Sequence, residues 1–370
     1  MHLKSVETTP NPNSMKLNLD GNVGAAVTYT STDKSACPKF ISDLLGITGI
    51  QSVFACQDFL TLNKDPRCNW QNILREAKAI MSGESTSEPA GNNRQEHAEP
   101  LGQVQLLVQT FRGIPIQIKA VDPTGETRSS MGERFNEAAQ YIQCQLSSDY
   151  LKERHWADHG IRYGTREEVV EQLKDELNGI FDAARLEQTK TEAVRNVEAT
   201  AVDLQQIAQW LKNEDWHKRF AAVQELSRLS DEISLLEEAL RDDHPQVRRL
   251  AAAALGATGN TDAVAALGNV VLNDDSAGVR RTAGDALSDI GDVKAEPIMC
   301  QALADPNKLV RWRAARFLAD VGTTSAIPFL EKACEDTEFE VKLEALSALE
   351  RIRAGAEGAG PAWKRIAEQQ

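Results

Sequence analysis

The chain has 370 residues and carries 41 Lys and Arg against 55 Asp and Glu, a formal net charge of −14. That length leaves room for two or three domains, and a hydrophobic content of 41% is enough to fill real cores. So acidic a chain argues against general binding to nucleic acid or to an anionic membrane, both of which need a basic face.

No stretch is long and charge-free enough to cross a bilayer. Met1–Glu7 lacks the apolar run of a signal peptide, so the chain is expected to be cytoplasmic. The six cysteines, Cys37, Cys56, Cys68, Cys144, Cys300 and Cys334, form no CxxC and are scattered. A disulfide framework is therefore not expected in a chain of this size and compartment.

In chain order, Thr9-Pro10-Asn11-Pro12-Asn13-Ser14-Met15-Lys16-Leu17 reads first as a rigid entry. Its prolines fix φ, and its asparagines suit Asx-type turns. A strand with Met15, Leu17 and Leu19 on one face follows, then a second near Ala26–Thr30 and a helix around Pro38–Leu45. Ile50–Lys64 predicts a hairpin, and Trp70, Ile73, Leu74, Ala77 and Met81 mark an amphipathic closing helix. The Thr9–Lys16 string, the glycine-led hairpin from Gly49 and the closing helix resemble the N-terminal domain of Nfu/NifU-type iron–sulfur scaffold proteins. That family holds its cluster with a CxxC in a separate domain, and this chain has none. The resemblance implies a docking module, with Asn11, Asn13 and Lys16 as candidate contacts; turn capping is the plainer role for the two asparagines. A bound cluster would require Cys37, Cys56 and Cys68 to converge, although cysteines at strand ends are usually packed.

Ser82–Pro100, rich in Ser, Gly, Glu and Asn, is expected to be a flexible tether. Val104–Phe111 and Ile114–Val121 alternate as strands about an Arg112-Gly113 turn. Capping boxes at Ser130–Glu133 and Thr165–Glu168 predict two helices, the first with Phe135, Ala138, Ala139, Ile142 and Leu146 inward, the second with Val169, Val170, Leu173, Leu177, Ile180 and Phe181 inward. Between them, His155, Asp158 and His159 would share a face if helical and could ligate a metal. The alternative is a tight loop anchored by Trp156 and Tyr163 with its histidines capping or exposed, and the Arg162-Tyr163-Gly164 turn could equally present an interaction surface.

From about residue 200 the sequence repeats. Val247, Val279, Val310 and Val341 are spaced 32, 31 and 31 residues apart, each opening an apolar face such as Val247, Leu250, Ala251, Ala254, Leu255. Trp216, with Phe220 and Val223, starts a degenerate copy. Turns such as Asp243-His244-Pro245 and Asp305-Pro306 separate paired helices. The pattern resembles HEAT repeats of the phycobilisome-lyase type. The first arginine of each copy, Arg248, Arg280 or Arg311, is expected to pair with turn carboxylates such as Asp243, Asp275, Asp305 and Asp336. One position on, Arg249, Arg281 and Trp312, with Arg313, are candidate contacts for an acidic peptide, Trp312 as an aromatic anchor. A related di-iron chemistry needs His-Glu pairs, and neither His217 nor His244 is followed by Glu. No GxGxxG, Walker A or GxSxG sequence occurs.

Taken together, the three regions resemble the conserved virulence factor C family of Gram-positive bacteria. The expected fold is multidomain: an α+β Nfu-type domain over 1–85, a linker over 86–100, a small α+β middle domain over 101–198, and an all-α superhelix over 199–370 with about five helical pairs. The expected function is a non-enzymatic adaptor that binds protein partners, with a regulatory role in virulence-associated traits and no cofactor. Alternatives are an accessory role in iron–sulfur assembly, with assembly or client proteins as partners, and a metal-dependent or lyase-like enzyme. Oligomeric state is not legible.

Overall fold

Alternating apolar residues set the first sheet. The computed structural model describes residues 2–8, 13–24, 26–30, 33, 37–65, 68, 70–82, 103–122, 125–146, 150–195, 202–229 and 232–355. The chain divides into two compact units, residues 1–102 with 336–344, and residues 103–335 with 345–370.

In the first unit, β1 (Leu3–Thr8), β2 (Ser14–Leu19), β3 (Val27–Thr30), α1 (Lys39–Leu44), β4 (Ile50–Cys56), β5 (Phe59–Lys64) and α2 (Trp70–Ser82) follow in order. The strands form one antiparallel sheet in the order β1-β2-β5-β4-β3. Met15, Leu17 and Leu19 alternate inward as their spacing predicts, and share a core with Val53, Leu60, Leu62, Ile41, Leu44, Trp70, Ile73 and Ala77. Gly49 has a φ of +94°, and a Cβ there would meet the Cys68 Sγ at 2.5 Å, so the approach of this chain to the hairpin requires glycine. The edge strand β1 was not anticipated. The Thr9–Pro12 entry, with Asn11, and the tether beyond Ser82, which ends α2, lie outside the described residues.

The second unit begins with β6 (Gln103–Phe111), β7 (Ile114–Asp122), β8 (Gly125–Ser130), α3 (Glu133–Leu146), α4 (Tyr150–Glu153), β9 (Arg154–Tyr163), α5 (Arg166–Ile180) and α6 (Ala183–Arg195). Its sheet runs β8-β7-β6-β9. Arg112 and Gly113, both at positive φ (46° and 85°), make the predicted two-residue turn. Val104, Leu106, Val108 and Ile118 face Phe135, Ile142, Val169 and Leu173 in one core. The Thr165 capping box forms with both reciprocal bonds. The one predicted at Ser130 does not. Ser130 still belongs to β8, and the chain turns into α3 through Gly132 at φ +110°.

Five helical pairs follow: α7 (Leu204–Trp210) with α8 (Trp216–Leu226), α9 (Ile233–Ala239) with α10 (Pro245–Thr258), α11 (Val264–Asn273) with α12 (Ala277–Ile290), α13 (Glu296–Ala302) with α14 (Lys308–Val321), and α15 (Ile327–Ala333) with α16 (Phe339–Arg353). The periodic valines are buried in every copy. Neighbouring second helices pack closely because small residues meet: a Cβ on Gly256 of α10 would lie 2.7 Å from the Ala286 Cα of α12.

Arginines rivet consecutive copies. Arg248 donates from Nε and Nη2 to Asp274 at 2.6 and 2.9 Å, and from Nη1 to the Asp242 and Asp243 carbonyls at 2.8 and 3.0 Å. Arg219 repeats this with Asp242, and Arg280 with Asp305. Each aspartate also accepts the backbone N–H two residues on, from His244, Ser276 or Asn307. The pairing is of the expected kind but uses Asp242 and Asp274. Asp243 and Asp275 contribute only their carbonyls.

Candidate functional site

Of the residues singled out in the sequence, several prove structural. Trp312 is 2% exposed and belongs to the core of its repeat, so it is no surface anchor. Its position falls on the buried side of α14, alongside Val310 and Ala315. Asn13 is 6% exposed and accepts a hydrogen bond from the Lys64 ammonium at 3.4 Å, which makes it part of the first core rather than a contact surface. The Lys16 ammonium lies 5.0 Å from the centre of the Phe59 ring. Asn11 lies outside the described residues.

His155, Asp158 and His159 lie on β9, a strand and not a helix. Residues three apart on a strand point to opposite faces, so the three do not converge. His155 Nε2 meets Thr110 Oγ1 at 3.1 Å, and Asp158 accepts from the Gly160 N–H and from Gln105 Nε2. Among the described residues no three side chains of His, Cys, Asp or Glu gather as a metal site, Cys37, Cys56 and Cys68 included.

Asp158 instead shapes a bulge. The β6–β9 register slips between Gln105 and Leu107, with Gly160 at φ +78° on the bulged strand. A bulge bends a strand and re-aims the residues beyond it. Here those residues are Ile161, Arg162 and Tyr163, and they form one wall of a cleft of about 390 Å³. The opposite wall is the solenoid: Pro245, Gln246 and Arg249 of α10, then Ser276 to Val279, Arg281 and Thr282 at the start of α12. Asn307 and Leu309 close one end.

The two walls are joined by Glu176 of α5. This carboxylate, 2% exposed, accepts from Arg162 Nη1 and Nη2 at 3.0 and 2.6 Å and from Arg249 Nη2 at 2.9 Å. Burial, followed by the neighbouring Arg162 guanidinium, presses the Arg249 pKa below its ordinary value, yet an arginine keeps its charge at any working pH. Arg249 Nε also donates to Gln246. Next along, the Arg281 guanidinium lies 3.6 Å from the centre of the Tyr163 ring and pairs with Asp285 at 3.1 Å. Asp285 is shared with Arg313. Behind them the Asp289 carboxyl is pushed above its ordinary pKa by burial, then by Asp285. The cleft lining thus contains three arginines and no carboxylate.

A second fastening holds the same layers together. His217 of α8 bridges Asp175 of α5 (3.2 Å) and its own cap residue Asp215 (2.8 Å). Burial opposes charge on this imidazole, but the two carboxylate bonds outweigh it and hold the pKa above its ordinary value. Lys218 pairs with Asp182, and a Cβ on Gly179 would sit 2.7 Å from His217, so α5 and α8 touch closely. The Trp216 ring stacks on His244 at 3.7 Å.

Sequence reasoning pointed to the Arg162-Tyr163-Gly164 turn as a surface but missed Glu176. A signal existed for Glu176: it falls on the inward face defined by Val169, Val170, Leu173 and Leu177, where a charge needs a partner.

Family models match along the chain: "Scaffold protein Nfu/NifU N terminal" over residues 4–88, "Virulence factor" over 109–189, and "HEAT repeats" over 233–307 and 296–367. A Bacillus subtilis (strain 168) relative, named uncharacterized protein YpgR, is 37% identical over 379 residues, spanning 100% of this chain and 99% of its own. Conserved virulence factor C of Staphylococcus saprophyticus is 32% identical over 382 residues, with the same coverage of 100% and 99%. The crystal structure of protein SAV1430 from Staphylococcus aureus is 36% identical, covering 22% of this chain and 98% of that one, with a TM-score of 0.20.

Proposed function

The chain belongs to the conserved virulence factor C family, and from that premise we propose that it is a cytoplasmic, non-enzymatic adaptor with a regulatory role in virulence-associated traits. The repeat-bearing unit holds one protein partner and the Nfu-like module another, so that two binding events are linked through one chain. The observation that carries this reading is the arginine-lined cleft, where sheet and solenoid jointly present a shaped cationic surface on an otherwise acidic protein. Stacked helical repeats characteristically offer such extended surfaces to partners. Among the described residues, no helix is long and apolar enough to cross a membrane.

The test is capture with the full-length chain, identification of the retained proteins, and reconstitution with each purified candidate. The adaptor reading expects a saturable complex of fixed stoichiometry. It is overturned if no purified candidate binds, or if the protein alone turns over a substrate.

The match to the Nfu/NifU N-terminal model favours a second reading, an accessory role in iron–sulfur assembly. Stoichiometric iron in protein purified without oxygen would replace the adaptor reading with this one.

A further inference from the structure

We infer that the cleft between the end of β9 and the first turns of α10 and α12 takes a carboxylate-rich, extended segment of a partner protein. This deepens the adaptor reading and rests on it. Three guanidiniums, Arg162, Arg249 and Arg281, line the cleft, and none of its lining residues is acidic. The two carboxylates nearest them are each shared: Glu176 between Arg162 and Arg249, Asp285 between Arg281 and Arg313. Each pair of cations therefore has one bonded counter-charge, with Asp289 further back, and donor capacity remains for an incoming acceptor.

Arg281 shows this at atomic detail. Its Nη2 pairs with Asp285, its plane is held against Tyr163, and among the described residues its enclosed Nε makes no hydrogen bond. A guanidinium fixed on an aromatic face has already lost the rotamer freedom that binding would otherwise cost. The adjoining α12 terminus adds to the field. Its N-cap Ser276 makes no side-chain capping bond, whereas Asp215 and Asn307 close the starts of α8 and α14. Unclosed first-turn N–H groups favour negative charge.

The shape selects a polypeptide segment. Besides these cations the cleft is lined by Pro245, Val279 and Leu309, and by Ile161, which is 54% exposed. Apolar wall between charges suits a chain whose acidic side chains alternate with its backbone and methylene groups. Planar, two-pronged carboxylates match the guanidinium forks.

The experiment titrates the full-length protein with a fluorescein-labelled peptide of alternating aspartate and glutamate, and with its asparagine–glutamine counterpart. The acidic peptide should bind at least about tenfold more tightly at low salt, the difference shrinking as salt screens it. Thr282→Glu places a negative charge at the cleft without touching an arginine, and should weaken acidic-peptide binding about tenfold with the thermal midpoint unchanged. Arg281→Gln should also weaken acidic-peptide binding about tenfold. Equal binding of the two peptides overturns the inference, as does unchanged binding by Thr282→Glu. Displacement of the peptide by inorganic phosphate at lower concentration than by free acidic peptide would also overturn it, because the cleft would then be a phosphate site. If Thr282→Glu keeps every reconstituted partner, the cleft is removed from the mechanism while the adaptor reading stands.

Discussion

Glu176 lies on the buried, apolar face of its helix, and it is tolerated there because two guanidiniums meet it. Removing its charge leaves Arg162 and Arg249 facing each other with no bonded counter-ion. Breaking one side of such a buried cluster costs about 3 kcal/mol, so Glu176→Gln should lower the urea midpoint of the second unit with an unchanged slope. His217 makes a pH-dependent contribution. Its folded pKa is raised, so its stabilisation is complete below the unfolded value of about 6.5 and is lost as pH rises through the folded value. The thermal midpoint should therefore fall from about pH 6 to about pH 9 in a component that His217→Gln abolishes. At this scale the sequence was partly legible. A charge on an apolar stripe marks Glu176, but its partners come from a strand and a repeat that no local pattern connects. Trp312 was misread because an aromatic beside arginines resembles an anchor, while its place on the buried side of α14 depends on the helix's rotation.

The repeats hold together through rivets as well as core. Arg248 bonds its own turn's carbonyls and the next copy's Asp274, both side chains being largely buried. Charge-assisted bonds of this geometry are worth about 1.5–3 kcal/mol. Arg248→Ala and Asp274→Ala should each destabilise by about that amount, and a double-mutant cycle should show the two losses to be far from additive. Gly256→Val tests the close crossing of α10 and α12: with Ala286 in the way, overpacking should cost about 1–3 kcal/mol, read as a drop in denaturation midpoint. The solenoid was legible because a fixed period repeats its valines, prolines and arginines. β9 was not. Arg154–Tyr163 has no apolar alternation, since it is an edge strand whose outer positions are polar and whose register a bulge resets. β1 and β8 escaped notice for the same reason, as edges of their sheets.

In the second unit, the sheet, its helices and the repeats other than residues 336–344 form one compact body. The sequence suggested separate domains joined by a helix, because the bonds that unite them link residues 73 positions apart. Hydrogen exchange should show α5 and α10 opening together, and Glu176→Gln should raise exchange in both, not in α5 alone. The net charge of −14 averages over a surface that includes the seam lined by Arg162, Arg249 and Arg281. That seam has a mechanical corollary. Because Arg249 is both a fastener and part of the wall, any carboxylate that settles beside it competes with Glu176 for the same protons. Occupancy and the grip between sheet and coil are then two sides of a single equilibrium: whatever loosens the grip tunes the affinity, and a visitor's arrival is felt in the sheet.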